Sequence, residues 1–487
     1  MTTAIGRLVE PRPHGLGLPA VSLARTSEFG ILRAAIPLAA AVVVSRALGL
    51  SEFSQAALGA TLVAAVVSPA AGLAILAFVT PLGPSRGIPA PGSDILLVGA
   101  ILFGCLYRLP IDRPRARLSA LPVILIAFVL YATAQQLPEL LSGYASSLDH
   151  DVGYLFIQLL TWFGTVLAAT YVLRDRSPYP FLAMALAGAV LVALLAIATY
   201  DATGIAGLVA NLVQPADNRT RALGSFSNPN YLGAYAAMMT VTAAALATLT
   251  RSRRVFIALL VVAGLTVVVV ALSLSRGAIV AALVGFAWLS LSRSRALAGV
   301  VLAIAVVGAL VIYPAFVQWR LENLTGSASV ESYAVMAKSD QGRFTGTLAG
   351  PSLFLSAPLF GIGFGHFVPM SVLVTGSPEP INAHNWYITV MAEQGVVGIV
   401  LVALLSVALV RALRSKPRIA RTTGFAVLGA LAAAGLFLEP PTSFQTLAVP
   451  SIVLVAALVG NWPPSAGDEP VAAGVTSGGG ARVVEAG

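Results

Sequence analysis

The sequence predicts an all-α, polytopic membrane protein with about 12–13 transmembrane helices and one long extracytoplasmic segment. Three observations predict it. The chain has 487 residues, of which 57% are hydrophobic and only 10% charged, whereas a soluble domain carries about 25% charged residues. Mean hydropathy is +0.88, and apolar runs of about 18–20 residues recur along the whole length, each able to cross ~30 Å of hydrocarbon as a helix. The basic residues lie in short clusters between those runs.

That last observation also disposes of a nucleic-acid partner. A net charge of +9 would suit one, but clusters confined to alternate loops are the positive-inside pattern of a membrane protein. The one cysteine, Cys105, lies within an apolar run, so it forms no intramolecular disulfide and no metal cluster.

Residues 1–30 are mixed and polar, with Arg7, Arg12 and Arg25. No apolar core follows closely enough for an ordinary cleavable signal. The membrane domain is read over 31–461, with apolar runs at 31–48, 56–80, 93–107, 119–137, 153–173, 179–200, 229–249, 255–274, 276–292, 297–316, 385–410, 422–438 and 444–461. Residues 462–487, rich in Gly, Ala, Val and Ser, read as a disordered tail. Pro37 and Pro69 suit a broken or re-entrant segment, so the side on which the N-terminus lies stays open.

Five loops are basic: those at Arg108–Arg117, Arg174–Arg176, Arg251–Arg254, Arg293–Arg295 and Arg411–Arg421. They are assigned to the cytoplasm with the C-terminal tail. The alternate loops then face outside: an acidic one with Glu139, Asp149, His150 and Asp151, the stretch around Arg219, the tight turn at Arg276, and the long segment 317–384.

The candidate chemistry lies on that second side. Arg219 and Arg221 open RTRALGSFSNPNYLGAY and are basic where the topology predicts few cations. Their guanidinium forks suit a pyrophosphate; the plain alternative is arginine reaching the headgroups. Asn228 and Asn230 flank Pro229, which suits a first helical turn, and a helix N-terminus there adds N–H groups for an anion. Arg276, in SLSRGA, sits between two apolar runs with almost no loop. A charge at that depth is a functional hypothesis by default. His384 precedes Asn385, Trp386 and Tyr387 at the start of another run, where imidazole is either a base or anion donor or a member of an aromatic belt. Glu393, about two and a half turns further in, needs a partner. Arg343 lines either a substrate entrance or a solvated face. Four histidines without carboxylates at helical spacing make no metal ligand set. No phosphate-binding loop or dinucleotide motif is present, so no cofactor is expected. Gly361–Gly365 follows no predicted strand and reads as a flexible turn.

These motifs together resemble the O-antigen ligase and O-antigen polymerase family of bacterial inner-membrane proteins. The resemblance rests on RALGSFSNPNYLGAY (221–235), SLSRGA (273–278), DQGRF (340–344) before GIGFG (361–365), and AHNWYITVMAEQGVVG (383–398), in family order over about 215–400. One departure is the absence of a tryptophan shortly after the DQGRF arginine, where Thr345 to Leu348 stand. The resemblance implies a metal-independent, inverting glycosyltransferase in the bacterial plasma membrane, active on the extracytoplasmic face. Its donor would be a glycan on undecaprenyl pyrophosphate, and its acceptor a glycan or lipid hydroxyl. It implies that Arg221 and Arg276 bind the pyrophosphate, that Arg219 and Arg343 assist, and that His384 lies at the reacting centre. Ligase and polymerase share these motifs. A solute transporter of bicarbonate type is the reading from another class, and it predicts polar residues near the midplane rather than at one end.

Overall fold

The computed structural model describes residues 28–47, 51–83, 92–112, 120–142, 149–174, 176–200, 221–293, 344–376, 380–438 and 443–462. Among them there is no strand. The helices are α1 (Glu28–Ala47), α2 (Ser51–Val67), α3 (Pro69–Val79), α4 (Gly92–Asp112), α5 (Ala120–Ser142), α6 (Asp149–Leu173) and α7 (Tyr179–Ala198). They continue with α8 (Pro229–Leu249), α9 (Arg253–Leu272), α10 (Arg276–Arg293), α11 (344–356), α12 (Phe367–Thr375), α13 (Trp386–Arg414), α14 (Arg418–Gly435) and α15 (Phe444–Val459). The run expected at 297–316, the two arginines 219 and 343, and the tail beyond 462 lie outside the described residues.

Among the described residues, five helices are by themselves long and apolar enough to cross a membrane: Leu155–Leu173, α7, α8, α9 and α13. Shorter apolar helices, among them α3, α10 and α15, complete the bundle. The helix α8 is its axis: 89% of its span is buried, against 28% for α9 and 11% for α13. It packs on α9, α10, α14 and α15. Its run of Ala, Thr and Met lets those neighbours approach closely, as small residues do between membrane helices. The hydroxyl of Thr240 bonds Thr266 of α9 at 2.8 Å. The opposite extreme, α13, turns Val396, Ile399, Val400, Leu404 and Val407 outward. An apolar surface of that kind faces lipid rather than water.

The run 56–80 is not one helix. Ser68 ends α2 and its Oγ accepts the N–H of Ala71, while Pro69 occupies the first position of α3. Proline has no N–H to donate and suits a first helical turn, so the break falls at that pair. Pro37, by contrast, sits inside α1.

The second break positions the site. Helix α13 is interrupted at Gly395, with φ 60° and ψ −155°. Nine residues in from Trp386, this lies about 14 Å along the helix. The break orphans backbone groups that lipid cannot satisfy. The segment 358–363 satisfies them: Ile362 N and Gly363 N each donate at 3.0 Å, to Ala392 O and Glu393 O, and Val396 N and Val397 N donate to Pro358 O and Leu359 O at 2.9 and 3.3 Å. The glycine turn is therefore clamped into the break, not a flexible turn. Gly361 adopts φ 76°, and a Cβ there would fall on the Glu393 carbonyl. We expect Gly361→Ala to destabilise the fold by at least ~3 kcal/mol, from the positive φ and the clash together. Thermal unfolding of the detergent-purified protein, followed by size-exclusion chromatography, checks this; an unchanged transition temperature would contradict the clamp.

Candidate functional site

The stretch 221–228 crosses the end of the bundle with a turn at 223–226, where Phe226 N donates to Leu223 O at 2.8 Å. Ala222 N donates to Leu272 O at 3.0 Å, which ties it to the end of α9. Ser225 Oγ donates to Pro81 O at 2.7 Å, and Gln445 Nε2 bonds both Pro81 O and Ser225 O, at 3.0 and 3.2 Å. Asn228 then caps α8, its Oδ1 accepting from Asn230 N at 2.8 Å, with Pro229 in the first helical position.

Arg221 is held from two directions. Its Nε donates to Ser273 O at 2.8 Å, and its Nη2 to Asn230 Oδ1 at 2.6 Å. Both bonds are charge-assisted. They fix the plane of the guanidinium before any ligand arrives. Asn230 is thus a residue that orients Arg221.

Ser273, the acceptor of Arg221, belongs to the three-residue turn that joins α9 to α10. Leu274 in that turn has φ 50°, a left-handed conformation unusual for a branched side chain. The hydroxyls of Ser273 and Ser275 accept the N–H groups of Ser275 and Ala278, each at 3.3 Å. Arg276 is the first residue of α10 and is exposed, so its charge stands at a helix N-terminus beside outward-facing backbone donors. Gly233 makes this proximity possible. A Cβ on Gly233 would meet Ser273 Oγ and lie 2.9 Å from Ala278 Cβ, so only glycine lets α8 pass the turn so closely.

His384 arrives from the other side. Ala383 is buried, and His384 is half-buried with φ 50°. Its N–H donates to Asn382 Oδ1 at 2.8 Å. Asn385 caps α13, with Oδ1 accepting from Tyr387 N and Ile388 N at 3.0 and 3.2 Å. Trp386 N donates to Leu438 O at 3.2 Å, and Tyr387 Oη to Ala432 O at 2.9 Å. Phe437, the neighbour of Leu438, packs over Gly277. The bridge 437–438 therefore links the Arg276–Gly277 turn to the His384–Trp386 turn. Among the described residues, the only non-glycine positions with positive φ are Leu274 and His384, one in each turn. Backbone strain of that kind costs about 1–3 kcal/mol and concentrates at functional sites.

Glu393 is buried, 6% exposed, and its Oε1 accepts the N–H of Phe367, the first residue of α12, at 3.0 Å. It is a carboxylate at a helix N-terminus. The same packing gathers Ala349, Leu353, Phe367, Ala383 and Ala392 into one cluster, so α11 and α12 ride on the first half of α13.

Sequence reading passed over the face of α5 that meets this unit. Tyr131 Oη lies 2.6 Å from Phe360 O and 3.2 Å from Gln394 O, and Gln135 Nε2 lies 2.6 Å from Phe360 O and 3.2 Å from Glu393 O. Gln136 Nε2 donates to Phe364 O. Two adjacent glutamines at the end of an apolar run were the available signal.

Arg221, Asn228, Asn230, Arg276, His384 and Asn385 thus share one end of the bundle. The clusters Arg251–Arg254, Arg293 and Arg411–Arg421 stand at the opposite ends of the same helices α8, α9, α10, α13 and α14. Alongside, α5, α6, α13, α14 and α15 enclose an apolar cavity of about 250 Å³. Trp386 and Tyr387 line one end of it, Leu121 and Val459 the other.

The fold and the composition define an all-α, multi-pass membrane protein. Residues 261–403 match the family model described as O-antigen ligase. The match takes in Arg276, the glycine turn, His384, Asn385 and Glu393, and leaves Arg221, Asn228, Asn230 and the whole of α5 outside. A comparison with curated proteins finds no match.

Proposed function

We propose that this protein is a metal-independent glycosyltransferase that moves a glycan from undecaprenyl pyrophosphate to an acceptor hydroxyl on the extracytoplasmic face of the bacterial plasma membrane. The observation that carries the proposal is the convergence at one end of the bundle. Arg221, fixed by Ser273 and Asn230, and Arg276, at the start of α10, share one turn. The 437–438 bridge joins that turn to His384.

In the proposed reaction the acceptor oxygen attacks C1 of the sugar from the face opposite the pyrophosphate, which inverts the anomeric centre. The C1–O bond to the pyrophosphate breaks and its electron pair goes to the departing oxygen. Arg221 and Arg276 stabilise that charge, with Arg219 and Arg343 as further phosphate contacts and Asn228, Asn230 and Asn385 organising the site. Preorganised cations of this kind replace a metal because they need no rearrangement as charge develops. His384 accepts the proton of the hydroxyl. Glu393 acts at one remove, by setting α12 against α13. The apolar cavity that starts at Trp386 and Tyr387 suits an isoprenoid tail whose headgroup lies at this end.

A polymerase, in which the acceptor is another lipid-linked repeat, uses the same groups. The transporter reading has one observation in its favour, the broken helix α13. Against it, the break is filled by the chain's own residues 358–363.

Mass spectrometry of lipid-linked glycans, in cells with and without the gene, tests the proposal. We expect an undecaprenyl-pyrophosphate glycan to accumulate in the deletion and to disappear on complementation. Trapped single repeats identify a polymerase, and trapped long chains a ligase. An unchanged lipid-linked pool, with the gene expressed in the parent strain, would overturn the enzyme reading.

A further inference from the structure

We propose that Tyr131, Gln135 and Gln136 of α5 are positioning residues for the transfer reaction, acting by holding the 358–365 turn in the break of α13. The proposal rests on the transferase reading above, and on a set of contacts outside the segment matched to the family. Tyr131 and Gln135, at i and i+4, share one face of α5, and Gln136 stands on its flank. They meet the carbonyls of Phe360, Glu393, Phe364 and Gln394, residues of the turn and of the helical stretch just before the break.

The orientation of Gln135 is dictated by its surroundings. Its amide nitrogen faces Phe360 O, Glu393 O and Tyr131 Oη, and a flipped amide would set oxygen against carbonyl oxygen. Its Oε1 is buried without a partner. Buried polar atoms are almost always paired, so this amide is retained for its donors, and the donors serve the turn. Gln136 is buried at 3% exposure and serves Phe364 O. His366 Nδ1 lies 3.0 Å from the same carbonyl.

What the clamp holds is the approach of His384. The turn closes the break in α13, and Glu393, two residues before that break, caps α12. The first half of α13, with α11 and α12 seated on it, carries His384 and Asn385 at its outer end. Beyond the break, α13 is largely lipid-facing. Across the break the turn bonds both halves of α13, so whatever holds the turn sets the angle between them. Three side chains of α5 set that angle from outside.

The test is the double variant Gln135→Leu/Gln136→Leu, which keeps volume and removes both amide donors, with Tyr131→Phe as a milder companion. We expect kcat per folded molecule to fall about 10²-fold while KM for the lipid-linked donor stays within about twofold, since the arginine turn is untouched. A second readout does not depend on activity. On a Cys105→Ala background, spin labels at Leu373 of α12 and Ile279 of α10, both exposed, report the separation of the riding unit from the bundle. We expect that distance distribution to broaden in the double variant. Unchanged kcat, or an unchanged distribution in the folded variant, overturns the proposal. If the wild type transfers no lipid-linked glycan, the transferase reading falls and the catalytic role falls with it. The clamp itself then stands or falls on the distances.

Discussion

On the proposed mechanism, Arg276→Ala is expected to transfer glycan about 10²–10³-fold more slowly than the wild type, in membranes that carry equal amounts of protein, because one donor to the developing negative charge is gone. The residue opens α10 and is exposed. Alanine is a good residue in a first helical turn, so the variant inserts and folds. Arg276→Lys restores little, since an ammonium cannot present the planar fork that suits a pyrophosphate. Synthetic donor with radiolabelled sugar and a fixed acceptor, assayed in proteoliposomes, gives the rate directly. Activity within a few-fold of the wild type would remove Arg276 from the charge-stabilising role.

His384→Asn is expected to give the second large effect, a loss of about 10²–10⁴-fold, the range contributed by a positioned general base, the role proposed for this residue. Asparagine is chosen for a reason. His384 has φ 50°, and asparagine tolerates the left-handed region well. The substitution therefore keeps the backbone and removes the imidazole. His384→Gly makes the same point with no side chain at all. Were the histidine present only to make the turn, both variants would keep full activity. That outcome would transfer the base to another group or to water. His384→Ala alone would not separate the two explanations, because it adds backbone strain to the loss of the ring.

Parts of this architecture were legible without coordinates. The helical, membrane-spanning class follows from composition, since apolar runs of sufficient length have few other stable forms in lipid. The tight turn at Arg276 was legible because two apolar runs abut there, and α9 and α10 are indeed separated by three residues. The helix opening at Pro229 was legible from Asn-Pro-Asn. Of the two prolines that suited a broken segment, Pro69 does open a new helix after Ser68, whereas Pro37 sits inside α1.

Other parts were not legible, and each for the same reason. The glycine turn read as flexible because nothing in GIGFG says that 392–397 will lend it four hydrogen bonds. Glu393 read as needing a partner, and no local pattern names the backbone N–H of Phe367 as one. Tyr131 and Gln135 contact Phe360 across more than 200 residues of chain, and no local pattern reports a partner at that separation.

The sequence by itself determined where most of the long apolar helices lie and which of their ends carry positive charge, because hydrophobic length and charge bias are properties of neighbouring residues; it did not show the helices 344–356 and Phe367–Thr375. It also determined which polar side chains stand at the opposite ends. Only the tertiary structure decided that Arg221 is locked by Ser273 and Asn230, that the arginine and histidine turns meet through residues 437–438, and that α13 is broken and refilled. Backbone groups opened in lipid must find partners within the protein, and which partners they find depends on how the whole bundle packs.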